Sequence, residues 1–249
     1  MSEATPGDRI RCVFTVIWFL ISLFISTLIL ITGLVVTLGK AQNFLVKYLG
    51  LFIGRTGLFI AGIKLNIHYA GPLPKQAAMY IFNHGSTLDL FVLLSLGLNN
   101  IRFVAKREFQ FNPFFFILGN LTGQIFIQRQ NSQRSIQILS HCCERIKKRD
   151  LSVVMGPEGS RHHKGVIGPF KKGAFHMAID LNYPMVPMYF ENTGKLCHGR
   201  SLITFKGTVN VYIHPAVDTS QWKKETVALH AEEIRRRYLG WANISGESV

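Results

Sequence analysis

Hydrophobic and polar positions change rhythm along the 249 residues of this chain. From Cys12 to Gly39 nothing is charged, and Ile, Leu, Val and Phe dominate. As a helix rising ~1.5 Å per residue, this run would reach about 40 Å, more than the ~30 Å hydrocarbon core of a bilayer. It is too long for the apolar part of a cleaved leader, and no small-x-small site follows it, so it predicts a retained membrane anchor. A second apolar stretch, Tyr48 to Ile63, carries Arg55 near its middle. A full span there would be expensive, whereas an interfacial or re-entrant helix lets the guanidinium reach the headgroups. Arg9 and Arg11 precede the first stretch while Lys40 and Lys47 follow it. That balance suits a helical hairpin with both ends on one membrane face. Residues 1–62 are therefore expected to form a two-helix anchor and residues 63–249 a separate domain.

After residue 62 the period shortens. Ile63 to Tyr69 alternates apolar and polar residues, which predicts a strand with one exposed face. Further strands are predicted at 77–82, 101–105, 124–127, 151–155, 185–190 and 208–214, those at 77–82 and 151–155 as short apolar runs of the buried type. Helical periodicity lies between them, at 86–97, 132–148 and 171–181, with a last helix over 220–238. In the 132–148 segment Leu139, Cys143 and Ile146 share one face. Residues 243–249 look frayed. Strands alternating with helices predict an α/β domain, a mostly parallel or mixed central sheet flanked by helices.

Charge narrows the choice of partners. The net charge is +14, and beyond residue 63 there are 23 Lys or Arg against 12 Asp or Glu. Such a balance suits anionic partners, and the neighbouring anchor makes anionic lipid the better fit. No helix-turn-helix, zinc-finger or RNP pattern occurs, so nucleic acid is not expected. Four cysteines form no CxxC pair and no disulfide framework, which suits reduced thiols facing the cytosol. The nine histidines include no HExxH and no zinc spacing, so no metal is assigned.

The candidate chemistry lies in Ile81-Phe-Asn-His-Gly-Ser-Thr-Leu-Asp-Leu90. Ser86 and Asp89 have the spacing of a capping box, which would leave His84 a plain loop residue. The same spacing lets a carboxylate in the first helical turn reach back to an imidazole in the preceding loop. There it would fix the tautomer and leave the other ring nitrogen free to take a proton. The two readings are compatible. At the carboxyl end of a strand the pair would sit where open α/β sheets bind ligands. Gly156-Pro-Glu-Gly-Ser-Arg161 also follows a strand: it is an ordinary turn, or a phosphate cradle of backbone N–H groups beside an arginine. Arg129, directly after an apolar run, is surface decoration or a further phosphate ligand.

Taken together, these blocks resemble the glycerolipid acyltransferases, most closely the 1-acyl-sn-glycerol-3-phosphate acyltransferases, over roughly residues 65–215. Asn83, His84 and Asp89 match the family's Asn-His-x4-Asp. Lys106, Glu108, Gly123 and Arg129 match its second block, and Gly156 to His162 its Phe-Pro-Glu-Gly-Thr-Arg-Ser. Phe170 to Gly173, with Lys171 within it, match the Phe-Lys-x-Gly element, and Val186-Pro187 the fourth motif. Two departures stand out: Gly156 replaces a phenylalanine, leaving acyl or headgroup preference open, and His162 replaces a serine.

The resemblance implies that His84 is a general base oriented by Asp89. It implies that Glu158, Gly159 and Arg161 hold the glycerol-phosphate end, helped by Arg129 and Lys106. Asn83, Pro157, Ser160, Lys171, Gly173 and Pro187 would support these motifs. The implied reaction moves an acyl group from acyl-CoA or acyl-carrier protein to the sn-2 hydroxyl of lysophosphatidic acid, without a cofactor. Membrane phospholipids would surround an enzyme facing the cytoplasm from a bacterial inner membrane or the endoplasmic reticulum. Alternatives are a different acceptor, such as glycerol-3-phosphate or another lysophospholipid, and a lipid-binding module without catalysis.

Overall fold

A computed structural model describes residues 4–111, 113–127, 132–161, 167–199 and 201–246. Helix α1 (Pro6–Val36) begins at Thr5, whose side chain accepts from the amide of Asp8 while the Asp8 carboxylate accepts from the Thr5 amide. The chain reverses through Leu38 and Gly39, both at positive φ, and returns as α2 (Gln42–Ile60). This second helix starts earlier than the apolar pattern predicts, because half-buried Lys47, whose ammonium donates to Asn99 Oδ1, interrupts the pattern and not the helix. Both helices are long and apolar enough to cross a membrane.

Seven strands follow: β1 (Ile63–Tyr69), β2 (Met79–Phe82), β3 (Ile101–Lys106), β4 (Ile125–Ile127), β5 (Ser152–Met155), β6 (Met185–Glu191) and β7 (Gly207–Ile213). Their order is β1-β7-β6-β2-β5-β3-β4, and every adjacent pair is parallel except β6–β7. The helices between and after them are α3 (Asp89–Ser95), α4 (Pro113–Thr122), α5 (Ser132–Lys148), α6 (Gly173–Leu181), the short α7 (Thr193–Leu196) and α8 (Val227–Gly246). The result is the mixed α/β sheet flanked by helices that the pattern predicts.

Both faces of the sheet are buried, which is why its central strands are continuously apolar. Met79, Ile81, Val153 and Met185 face α5, α6 and α8; Tyr80, Phe82, Val154 and Val186 face α2 and α3. Two glycines let α2 lie close against α3. A Cβ at Gly54 would stand 2.6 Å from the Ser95 amide nitrogen, and one at Gly57 would stand 2.4 Å from the Phe91 ring.

Three local predictions need correction. Helix α3 starts at Asp89 rather than near residue 86, because Ser86 and Thr87 are used in the turn before it. The aromatic segment after β3, for which the pattern names no element, forms a 3-10 turn (Arg107–Phe111) and then α4, which Pro113 opens. The last helix starts at Val227 and continues to Gly246, into residues expected to fray. Its end is held by Trp241, which stacks on His214 with ring centroids 3.6 Å apart.

Candidate active site

Strands β6, β2 and β5 are neighbours at the centre of the sheet, so the loops leaving their carboxyl ends meet. The loop after β2 carries Asn83 and His84. Asn83 is buried and its side-chain amide pairs with Phe190 on β6: Nδ2 donates to the Phe190 carbonyl at 2.9 Å, and Oδ1 accepts from the Phe190 amide at 2.7 Å. A side chain thus supplies one more rung between the strands while the main chain turns away. The Phe82 ring meets the His84 imidazole edge to face at 5.6 Å.

His84 Nδ1 lies 2.7 Å from Asp89 Oδ2. The same oxygen accepts from the Ser86 amide at 3.0 Å. The capping and catalytic readings of this motif are therefore one geometry: the carboxylate that closes the first turn of α3 is also the partner of the imidazole. Asp89 is 1% exposed and His84 18%. Burial excludes water from the carboxylate, and its other oxygen, Oδ1, is buried without a hydrogen-bond partner among the described residues. An ionised Asp89 requires the proton on Nδ1, which leaves the Nε2 lone pair to accept one. No hydrogen bond occupies Nε2 among the described residues.

The loop after β5 braces this pair. Glu158 is buried and accepts from two amides, His84 N–H at 2.8 Å and Gly168 N–H at 2.9 Å. The resemblance assigns it to the glycerol-phosphate end; its contacts here are with the main chain of the two loops. A carboxylate repels a phosphate, and both of its oxygens already hold main-chain donors that would be left unsatisfied without it. Gly159 turns at φ +69°, and the Lys171 side chain runs across it: a Cβ at Gly159 would stand 3.0 Å from Lys171 Cδ. The Lys171 amide donates to Pro157 O at 2.8 Å, so its main chain is joined to the turn that its side chain crosses. Ser160 is exposed at the surface of the turn. Half-buried Arg161 donates to Thr87 Oγ1 at 3.2 Å and has no carboxylate partner among the described residues. Arg161 is thus brought to the His84 loop with its charge uncompensated. An anionic ligand needs such a group.

The remaining predicted residues lie further out. Lys106 pairs with Glu108 at 2.9 Å on the surface, and among the described residues no hydrogen bond or ion pair ties it to the His84–Asp89 pair. Gly173 starts α6, where a Cβ would press on Leu139 at 3.3 Å. Pro187 lies opposite Ile81 in the β2–β6 register. Arg129 and His162 lie outside the described residues.

Two contributors escaped the sequence reading. Thr87 Oγ1, the acceptor for Arg161, donates to Ser201 O at 3.0 Å and so brings in the loop after α7. Cys197 also lies behind the start of α3, fully buried, with its thiol directed at Ser201 O at 3.3 Å. Burial pushes that thiol's pKa up, so it is a packed neighbour and not a second nucleophile. Only Thr87 was visible in advance, as part of the capping motif.

Comparison with known proteins agrees with this geometry. The family model described as Acyltransferase matches residues 64–191. A 1-acyl-sn-glycerol-3-phosphate acyltransferase of Limnanthes douglasii is 30% identical over 76% of this chain and 67% of its own. One of Saccharomyces cerevisiae is 32% identical over 70% of this chain and 58% of its own. For one of Cocos nucifera the figures are 29%, 75% and 60%, so this chain spans about three-fifths of that relative's length. The crystal structure of the 1-acyl-sn-glycerophosphate (LPA) acyltransferase PlsC from Thermotoga maritima superposes with a TM-score of 0.70 over 92% of this chain and 95% of the other. At 22% identity, that likeness establishes the fold. With both the matched segment and its His-x4-Asp pair at the centre of the sheet, the chain belongs to the acyltransferase family.

Proposed function

We propose that this protein transfers a fatty acyl group from a thioester, acyl-CoA or acyl-carrier protein, to the sn-2 hydroxyl of 1-acylglycerol-3-phosphate, giving phosphatidic acid. The observation that carries the reading is the 2.7 Å His84–Asp89 contact, with Nε2 unengaged and Arg161 tied to Thr87 inside the same motif. In the mechanism, Nε2 takes the proton of the acceptor hydroxyl as its oxygen attacks the thioester carbonyl. Asp89 stabilises the imidazolium that forms. Collapse of the tetrahedral intermediate expels the thiolate, and the proton held on Nε2 passes to it. Proton transfer from a positioned base contributes about 10²- to 10⁴-fold in rate. Arg161 and Lys171 supply positive charge for the phosphate, so binding the headgroup also positions the hydroxyl. No resident cofactor is invoked.

The apolar helices support delivery of a lipid acceptor. Phe14, Ile17, Leu20 and Ile21 of α1 are exposed, as are Phe52 and Phe59 of α2. Helix α4 extends this surface: Phe114, Phe116 and Ile117 are exposed, and Phe114 meets Phe24 of α1. An apolar surface of this extent suits a bilayer. Residues 1–62 then act as the anchor of a catalytic domain on the cytoplasmic side, where four free cysteines are at home.

The experiment is transfer of labelled acyl-CoA to lysophosphatidic acid in detergent or vesicles, with wild type and His84→Ala. The expected loss in the variant is at least about 10²-fold. Undiminished transfer by His84→Ala would overturn the base assignment. Wild-type transfer to glycerol-3-phosphate or a larger lysophospholipid, with none to lysophosphatidic acid, would overturn the acceptor. No transfer with any acceptor or thioester would leave a lipid-binding module.

A further inference from the structure

Helix α8 begins 36 residues beyond the segment that the family model matches, yet it reaches the His84 loop from two directions. The first path starts at Arg235. Its Nε donates to Gly168 O at 2.9 Å and its Nη2 to Ile167 O at 3.2 Å. The amide of that same Gly168 donates to Glu158 Oε2, whose other oxygen accepts from the His84 amide. One guanidinium therefore fixes the segment that fixes the carboxylate that fixes the backbone of the base.

The second path starts at Tyr238, three residues on and fully buried. Its hydroxyl accepts from Met188 N–H at 3.1 Å and donates to Ile81 O at 2.9 Å. Those groups belong to β6 and β2, at the position where Pro187 offers no N–H and two residues before the Asn83–Phe190 pairing. The hydroxyl thus joins the two strands at the edge of the active-site crevice. It is held there as a neutral donor, because burial raises its pKa well above the ordinary phenolic value. A buried phenol of this kind would be matched by phenylalanine if packing were its whole task; here its one polar atom serves main-chain groups of both strands.

We propose that Arg235 and Tyr238 are positioning residues for His84, and that α8 is part of the catalytic apparatus and not only a cover for the sheet. The proposal rests on the reading of His84 as the base. Neither side chain touches the acceptor or the thioester. Together they set where the imidazole stands relative to both. A displacement of ~1 Å at a reacting group costs on the order of 10²-fold in rate.

The test compares Arg235→Met, Arg235→Lys and Tyr238→Phe with Arg237→Met, a control whose guanidinium pairs with Glu233 on the exposed side of the same helix. Two quantities are read on the full chain in detergent: steady-state transfer to lysophosphatidic acid, and the downfield proton resonance of His84 Nδ1–H, which needs no substrate. Arg235→Met is expected to lower kcat about 10- to 100-fold with the acceptor KM within about twofold, and to shift or broaden the resonance. Arg235→Lys, which keeps one donor to Gly168 O, recovers part of the rate. Tyr238→Phe behaves like Arg235→Met, and Arg237→Met like wild type. Wild-type kcat and an unmoved resonance in Arg235→Met, with or without a lower melting temperature, would overturn the proposal. Arg235 is partly exposed, so this variant decides the matter even where Tyr238→Phe fails to fold. Absence of transfer by wild type would instead overturn the acceptor or the chemistry, and the resonance alone would then judge the clamp.

Discussion

The two ends of the sheet each bury a charge, and they manage it in opposite ways. At the carboxyl end Asp89, 1% exposed, accepts from an imidazole and an amide through one oxygen and leaves the other without a partner. At the amino end Arg102, 2% exposed, donates to Ile101 O and to Asn43 Oδ1 of α2, and no carboxylate pairs with it among the described residues. Burial, and after it the like charges of Arg145 and Arg149, pull the Arg102 pKa down to about 10. Asp89 is held with a titratable partner in a crevice, whereas Arg102 is held with neutral oxygens that bind the foot of α2 to the sheet. A buried charge marks chemistry where its partner can change protonation state, and marks architecture where its partners cannot.

That contrast can be broken experimentally. The largest effect is expected at Asp89. Asp89→Asn keeps the volume but no longer favours the Nδ1–H tautomer or stabilises the imidazolium, so kcat should fall by about 10³- to 10⁴-fold. Its melting temperature should hold or rise, because an orphaned carboxylate oxygen adds nothing to the fold. Thermal unfolding and turnover, measured side by side, check both halves. A variant that loses stability in step with activity would make Asp89 a structural group. Arg102→Met should do the reverse: turnover within about twofold of wild type, and stability unchanged or higher, since an apolar residue of similar volume removes an unpaired buried charge. Arg102→Ala, which also leaves a cavity, should cost about 2–5 kcal/mol by chemical denaturation. A large fall in turnover for Arg102→Met would erase the distinction between the two ends.

Most of the crevice could be read from the chain because its parts are short-range. His84 and Asp89 are five residues apart, and the geometry that joins them is the first turn of a helix, so spacing alone specifies it. The strands were legible for a similar reason: a sheet buried on both faces leaves uninterrupted apolar runs. What failed to show was long-range. Glu158 reaches His84 across 74 residues and Tyr238 reaches Ile81 across 157, and no local pattern distinguishes a buried tyrosine with a structural hydroxyl from one that merely packs. Glu158 was therefore found by its motif, while the two amides it holds were not. Helix α4 was missed because consecutive phenylalanines give an apolar run with no period. The end of α8 was missed because the ring that anchors it, Trp241, gains its stability from His214, which is distant in the chain and lies just past β7.

That pairing sets the smallest effect and the last test. His214 lies just past β7, where its amide donates to Pro187 O of β6 at 3.0 Å; its ring stacks on Trp241 at 3.6 Å, and its Nε2 is buried without a partner among the described residues. Burial lowers its pKa below the ordinary histidine value of 6.5. The folded state therefore holds His214 neutral, while the unfolded chain binds a proton more readily as pH falls. Its contribution to stability is fully present above the unfolded value of about 6.5 and is lost as pH drops through the lower folded value. The melting temperature should thus fall between pH 7.5 and pH 5.5, by roughly 2–4 °C for each kcal/mol lost. His176, which burial also shifts downward, contributes to the same slope. His214→Phe keeps the stack on Trp241 and cannot be protonated, so it should flatten the slope without abolishing it. An unchanged slope in that variant would mean that His214 binds its proton alike in the folded and unfolded chain, so that its burial against the indole sets none of the pH dependence.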